Sequence, residues 1–205
     1  ATVEMGSLAA SSSTFEVKGL WFTYPGATEP TLKDIHLTID QGQTIGIFGR
    51  TGSGKTTLMS VLSRIYDPPK DTVFMHGTDI LELPVDDYWQ SLAFARQTPF
   101  LFSQSIESNI AFQVIKPSDI NRENLNSAIR DAALASEINS FTDGVNTRVG
   151  ERGVTLSGGQ RQRTALARLF YRPFDILLLD DVMSAVDHST ESRLIESVYR
   201  RGRDC

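Results

Sequence analysis

An α/β fold with a mainly parallel core sheet is predicted by two apolar runs and by the residues that border each. Thr44-Ile45-Gly46-Ile47-Phe48 is nearly all apolar, as a strand buried on both faces must be, and it runs straight into the glycine-rich stretch Gly49 to Thr56. Ile176-Leu177-Leu178-Leu179 repeats that pattern and ends in Asp180. Apolar residues at helical spacing come after the first run and before the second, and strands alternating with helices define this class.

Phe15, Val17 and Leu20 alternate with Glu16 and Lys18, which predicts an early strand before the turn at Pro25-Gly26. Ile35 to Ile39 alternates strictly and stops at Gln41-Gly42, so these two strands read as antiparallel and form a separate β lobe. Leu58, Val61, Leu62 and Ile65 predict a helix that Pro68-Pro69 ends. Ser118 to Phe141 is polar apart from Leu125, Ala128, Ile129 and Ala132, whose spacing predicts a small helical lobe with that stripe in its core. Ser157 is placed to cap a helix reaching Tyr171, with Pro173 as the stop. Residues 1–13 read as a disordered linker or tag remnant, residues 14–205 as one domain, and about 98–172 as its helical lobe.

Bulk properties exclude several classes. A net charge of −5 and a pI near 5.2 argue against a nucleic-acid surface, which usually carries a basic stripe. Arg193, Arg200, Arg201 and Arg203 read as a solvated helix face. Cys205 alone cannot form an internal disulfide, which fits a reducing compartment. No apolar run approaches the roughly 18 residues of a membrane span, and no signal peptide is recognisable, so the chain reads as a soluble domain.

Gly49, Gly54, Lys55 and Thr56 satisfy G-x-x-x-x-G-K-[ST]. In such a loop the glycines let backbone N–H groups converge on phosphate oxygens, and the helix dipole adds positive potential. Gly49, Arg50, Thr51, Gly52, Ser53, Gly54, Lys55, Thr56 and Thr57 are therefore the candidate phosphate-binding residues. Lys55 is expected at the β and γ phosphates and the Thr56 hydroxyl on Mg²⁺, with Asp180 as the second magnesium oxygen ligand.

With Leu156-Ser157-Gly158-Gly159-Gln160 followed by Arg161-Gln162-Arg163, the chain resembles the nucleotide-binding domains of ATP-binding cassette transporters, from Phe15 onward. The resemblance implies ATP and Mg²⁺ as ligands and hydrolysis of ATP to power transport. It implies that Ser157, Gly158, Gly159 and Gln160 complete the ATP site of a facing second nucleotide-binding domain. Tyr24 looks like the aromatic that stacks on adenine, Gln97 like the residue reaching magnesium and the attacking water, and Ser184-Ala185-Val186-Asp187 like the loop crossing to the partner. Val149-Gly150-Glu151-Arg152-Gly153 and the run Phe100 to Ala111 resemble exporters, where they face the transmembrane domains. That places the domain at the cytoplasmic face of a membrane.

Two departures stand out. The family carries a Glu after the magnesium Asp, as the base that orients water; here it is Asp181, one methylene short. Such members look like the slow, degenerate half of a non-identical pair, and the alternative function is a catalytically weak, nucleotide-clamping regulatory module. Asp181 and Gln97 are the candidate catalytic residues, with Thr56, Gln97 and Asp180 around the metal. Secondly, none of His36, His76 and His188 has the family's switch position, so the C-terminal part is expected to be truncated, lacking the switch-histidine strand. A chromosome or DNA-repair ATPase of the same superfamily is disfavoured, because the segment from Lys55 to Ser157 holds no sustained heptads.

Overall fold

The computed structural model describes residues 13–112, 114, 116–150, 156–183 and 186–202. They form two compact units, the first ending at Tyr88 and the second beginning at Trp89. The expected linker thus lies outside the described residues, except Ser13, which opens the first strand and pairs with Asp40.

The first unit holds an antiparallel sheet. β1 (Ser13–Phe22) pairs with β2 (Leu32–Asp40) on one edge and with β3 (Val73–Met75) on the other, and β4 (Thr78–Asp79) lies outside β3. The alternation read in the sequence is borne out: Phe15, Val17 and Leu20 are buried, while Glu16 and Lys18 form an ion pair of 2.8 Å on the outer face. Asp79 closes the β4 corner, its carboxylate accepting from the Asp71 and Leu81 N–H groups at 2.7 and 2.9 Å. α1 (Lys55–Leu62) buries Leu58, Val61 and Leu62. α2 (Val85–Ser91) straddles the division; its Tyr88 is fully buried, donates its hydroxyl to the Leu62 carbonyl, and has its phenol pKa pushed up by burial.

Two expectations fail here. Thr44 to Phe48 is not a strand, and Phe48 is 95% exposed. Apolar sequence alone does not make a buried strand: its N–H and C=O groups need neighbours, and none of the described strands pairs with this run. α1 also stops before Ile65, which is exposed. The chain reverses at Arg64, in a left-handed conformation at φ 53°, and its guanidinium donates to the Ile80 and Leu83 carbonyls at 2.7 and 3.0 Å. Those bonds reward ending the helix there.

The second unit carries the parallel pairing. β5 (Leu92–Ala95) and β6 (Ile176–Leu179) align Leu92 with Ile176 and Ala95 with Leu179. Among the described residues five α-helices accompany them: α3 (Ile106–Ile110), α4 (Arg122–Asp131), α5 (Ala135–Ser140), α6 (Gly158–Phe170) and α7 (His188–Gly202). The predicted stripe Leu125, Ala128, Ile129 and Ala132 lies in one buried cluster with Leu166, Ala167 and Phe170 of α6. The fold is thus α/β, with both antiparallel and parallel sheets.

The arginine run is not simply a solvated face. Arg200 and Arg201 both pair with Asp131, whose side chain is only 11% exposed, and Arg201 also donates to Ser127 at 3.2 Å. A buried carboxylate on α4 needs cationic partners, and the end of α7 supplies them. Arg193 is exposed as expected, and Arg203 lies outside the described residues.

Candidate nucleotide-binding and catalytic site

The glycine loop of the first unit is shaped by steric necessity. Gly54 adopts φ 93° as the residue preceding α1, and a Cβ there would meet Leu32 Cδ2 at 3.1 Å and the Thr31 carbonyl at 3.4 Å. At Gly49 a Cβ would lie 2.5 Å from Ser53 Oγ. Gly54 is therefore strained for any other residue, whereas a side chain at Gly49 would require Ser53 to turn away.

The loop fits a polyphosphate. No side chain among the described residues caps α1, and such a helix start suits anionic oxygens at its first-turn N–H groups. The Lys55 ammonium folds back onto the loop, donating to the Gly49 and Arg50 carbonyls at 2.7 and 3.0 Å. A phosphate would offer that cation a stronger, charged acceptor in the same place. Thr57 is buried, and its hydroxyl lies 2.8 Å from the hydroxyl of Tyr24. The predicted base-stacking residue is thereby tied to the helix that opens on the phosphate loop.

The second unit assembles the other candidates. Gln97 and Asp181 follow β5 and β6 at equal distance from the paired Ala95 and Leu179, so the parallel register sets them side by side. Gln97 Nε2 donates to Asp181 Oδ2 at 2.9 Å. Asp181 adopts a left-handed φ of 50°, which Asp tolerates better than most residues, and its carbonyl lies 3.5 Å from Gln162 Nε2 of α6. Asp180 is buried and its N–H donates to the Ala95 carbonyl at 2.9 Å, holding its carboxylate at the end of the parallel pair.

Ser157 starts α6 with a capping box. Its Oγ accepts from Gln160 N–H at 3.2 Å, and Gln160 Oε1 accepts from Ser157 N–H at 2.9 Å. Ser157 and Gly158 are exposed and Gly159 is partly so, which leaves the start of α6 open to solvent. Arg161 and Thr164 lock this turn onto the Leu156 and Gln160 carbonyls at 2.8 Å each. Of the crossing loop, Ser184 and Ala185 lie outside the described residues, while Asp187 caps α7. Hydrogen bonds from the Ser189 and Thr190 side chains and the Thr190 N–H hold the Asp187 carboxyl well below the usual range. Glu151, Arg152 and Gly153 also lie outside the described residues.

The run from Phe100 extends further than the sequence suggests. Phe102 and Phe112 stack at 4.4 Å, Phe100 meets Phe102 edge-on at 4.9 Å, and Phe100 and Phe112 are 61% and 46% exposed. Beneath them Arg168 of α6 donates to the Asn109 carbonyl, Asn109 Oδ1 and the Phe100 carbonyl at 2.7, 2.9 and 3.0 Å. Burial lowers the pKa of this guanidinium, which lies over both stacked rings. Sequence reading missed Phe112 and Arg168, because helical spacing does not reveal which loop a distant arginine supports.

A phosphate loop, a strand-end carboxylate and a boxed Ser-Gly-Gly helix start together define a nucleotide-binding domain of the phosphate-loop class. The ABC transporter family profile matches residues 32–184, and the chain belongs to that family. It is 41% identical over 180 residues to the multidrug resistance-like ATP-binding protein MdlA of Buchnera aphidicola, covering 87% of this chain and 30% of that protein. It is 38% identical over 184 residues to the probable multidrug resistance ABC transporter ATP-binding/permease protein YheI of Bacillus subtilis, covering 89% and 31%. The ATP-dependent lipid A-core flippase of Salmonella typhimurium is 39% identical over 176 residues, covering 86% and 30%. The solved structure of a bacterial Atm1-family ABC exporter with ATP bound matches with a TM-score of 0.86 at 29% identity, over 96% of this chain and 34% of that one. The chain therefore spans about a third of the length of these relatives. Domains of this family bind ATP, generally with Mg²⁺.

Proposed function

We propose that this chain is the ATP-hydrolysing domain of an exporter-type transporter, acting at the cytoplasmic face of a membrane. In this reading it closes head to tail on a second, non-identical nucleotide-binding domain. The single observation that carries the reading is the phosphate loop: a left-handed Gly54 at its end, an α1 without a side-chain cap at Gly54, and a lysine held over the loop carbonyls. The names of the relatives support the exporter type.

Each group then has a role. The loop backbone from Gly49 to Thr57 and the Lys55 ammonium bind the phosphates, Tyr24 stacks on the base, and the Thr56 hydroxyl serves the metal. On the second unit Asp180 and Gln97 serve as the magnesium-facing pair, and Asp181 as the acceptor that orients water. Mg²⁺ would supply positive charge to the phosphate oxygens. Ser157 and the N–H groups of Gly158 and Gly159 contribute to the partner's site, where donors aimed at developing charge matter most. The exposed face of Phe100 and Phe112 over Arg168 is where the transmembrane domains dock, since rigidly held aromatics make good contact surfaces. The short arm of Asp181 makes the chain's own site slow.

Calorimetric titration with Mg-ATP tests the reading. Lys55→Ala should weaken binding roughly 10- to 100-fold, the worth of a hydrogen bond to a charged group. Equal affinity for the unmodified chain and the variant would remove the loop from nucleotide binding.

A further inference from the structure

We propose that Tyr66 is a positioning residue for nucleobase recognition: it fixes the plane of the Tyr24 ring and so sets the affinity for the base half of the nucleotide. This rests on the reading of Tyr24 as the base platform.

Tyr24 lies beyond the end of β1, where the chain turns back through the Ala27 N–H to Tyr24 carbonyl bond of 3.0 Å. No strand ladder holds its side chain. Three contacts do so instead. The hydroxyl lies 2.8 Å from Thr57 Oγ1; the ring meets Phe22 at 5.2 Å and 81°; and it meets Tyr66 at 5.1 Å and 87°. The first contact fixes one atom and leaves the ring free to roll about it. Two near-perpendicular neighbours remove that freedom.

The backbone fixes Tyr66 in turn. Beyond α1 the N–H groups of Ile65 and Tyr66 both reach the Ser60 carbonyl, at 2.9 and 3.3 Å, while Arg64 adopts the left-handed conformation. This hook returns Tyr66 to the aromatic pair, where it also meets Phe22 at 5.7 Å. Phe22 is buried and belongs to the sheet, whereas Tyr66 is 37% exposed. Tyr24 is itself half-buried. A platform ordered in advance spares a ligand the loss of rotamer freedom on binding. The consequence is specific: Tyr66 should matter for the base and not for the phosphates, which the loop from Gly49 to Thr57 holds by itself.

The full chain is titrated calorimetrically with Mg-ATP and with magnesium tripolyphosphate, comparing Tyr66→Ala, Tyr66→Leu, Tyr66→Phe and Tyr24→Ala with the unmodified protein. Edge-to-face aromatic pairs set the scale, so Tyr66→Ala should lose about 2- to 10-fold in Mg-ATP affinity and keep its tripolyphosphate affinity. Tyr66→Phe should bind as the unmodified chain does. Tyr66→Leu, which preserves apolar bulk without the ring, should follow Tyr66→Ala and replaces it if the alanine variant does not fold. The proposal is overturned if Tyr66→Ala and Tyr66→Leu bind Mg-ATP normally while Tyr24→Ala is weakened. An equal loss for tripolyphosphate overturns it too, because the effect would then be general. Normal Mg-ATP affinity in Tyr24→Ala would overturn the platform reading itself, with the phosphate loop untouched.

Discussion

In the proposed function Asp181 is the acceptor of the chain's own, slow site. A general acceptor must come within about 2.6 to 3.2 Å of the proton it takes, directly or through one water, and its carboxylate is already engaged by Gln97 at 2.9 Å. Asp181→Glu lengthens the arm and should raise single-turnover hydrolysis on the order of 10-fold or more in the assembled transporter, a part of the roughly 10²- to 10⁴-fold that a positioned base supplies. A rate unchanged by the longer arm would show that arm length does not limit the site. Both residues were legible singly, by position after an apolar run or by resemblance, but their contact was not. It depends on the register of β5 against β6, which pairs residues more than eighty positions apart. Ser157 was legible as the cap of α6, because a cap acts within its own turn; the Gln160 side chain completes the box there.

Among the elements, α4 and α7 are joined by an electrostatic staple that composition conceals. Asp131 is nearly buried and accepts from both Arg200 and Arg201; the first is 62% exposed and so contributes little, while the second is 26% exposed. Asp131→Ala should cost about 1 to 3 kcal/mol in urea unfolding, with most of the loss reproduced by Arg201→Ala and little by Arg200→Ala. Equal stability of the Asp131 variant would reduce the staple to surface charge. Helix α4 was legible because Leu125, Ala128, Ile129 and Ala132 recur at helical spacing, and α6 because Ser157 and Pro173 mark its ends. The Thr44 to Phe48 run was misread as a buried strand because strand burial depends on neighbours in other parts of the chain, and periodicity carries no record of them. The arginines were misread for a related reason, since a run of like charges does not show a lone buried carboxylate on another helix.

At the scale of the whole molecule, the proposed function gives the same polypeptide two chemically different half-sites. In that reading Lys55 and Thr56 of the first unit and Asp180 and Asp181 of the second serve the chain's own nucleotide, whereas Ser157 at the exposed start of α6 serves the partner's. The signature should therefore matter more to turnover than the chain's own acceptor. Steady-state ATP hydrolysis by the assembled transporter tests this directly, comparing Ser157→Arg and Asp181→Asn with the unmodified pair. Ser157→Arg places a bulky cation at the exposed start of α6 and should reduce turnover on the order of 10²-fold or more, as loss of donors to transition-state charge does. Asp181→Asn should cost far less. A loss for Asp181→Asn as large as that for Ser157→Arg would contradict the division of roles, making Asp181 a working base in a competent site.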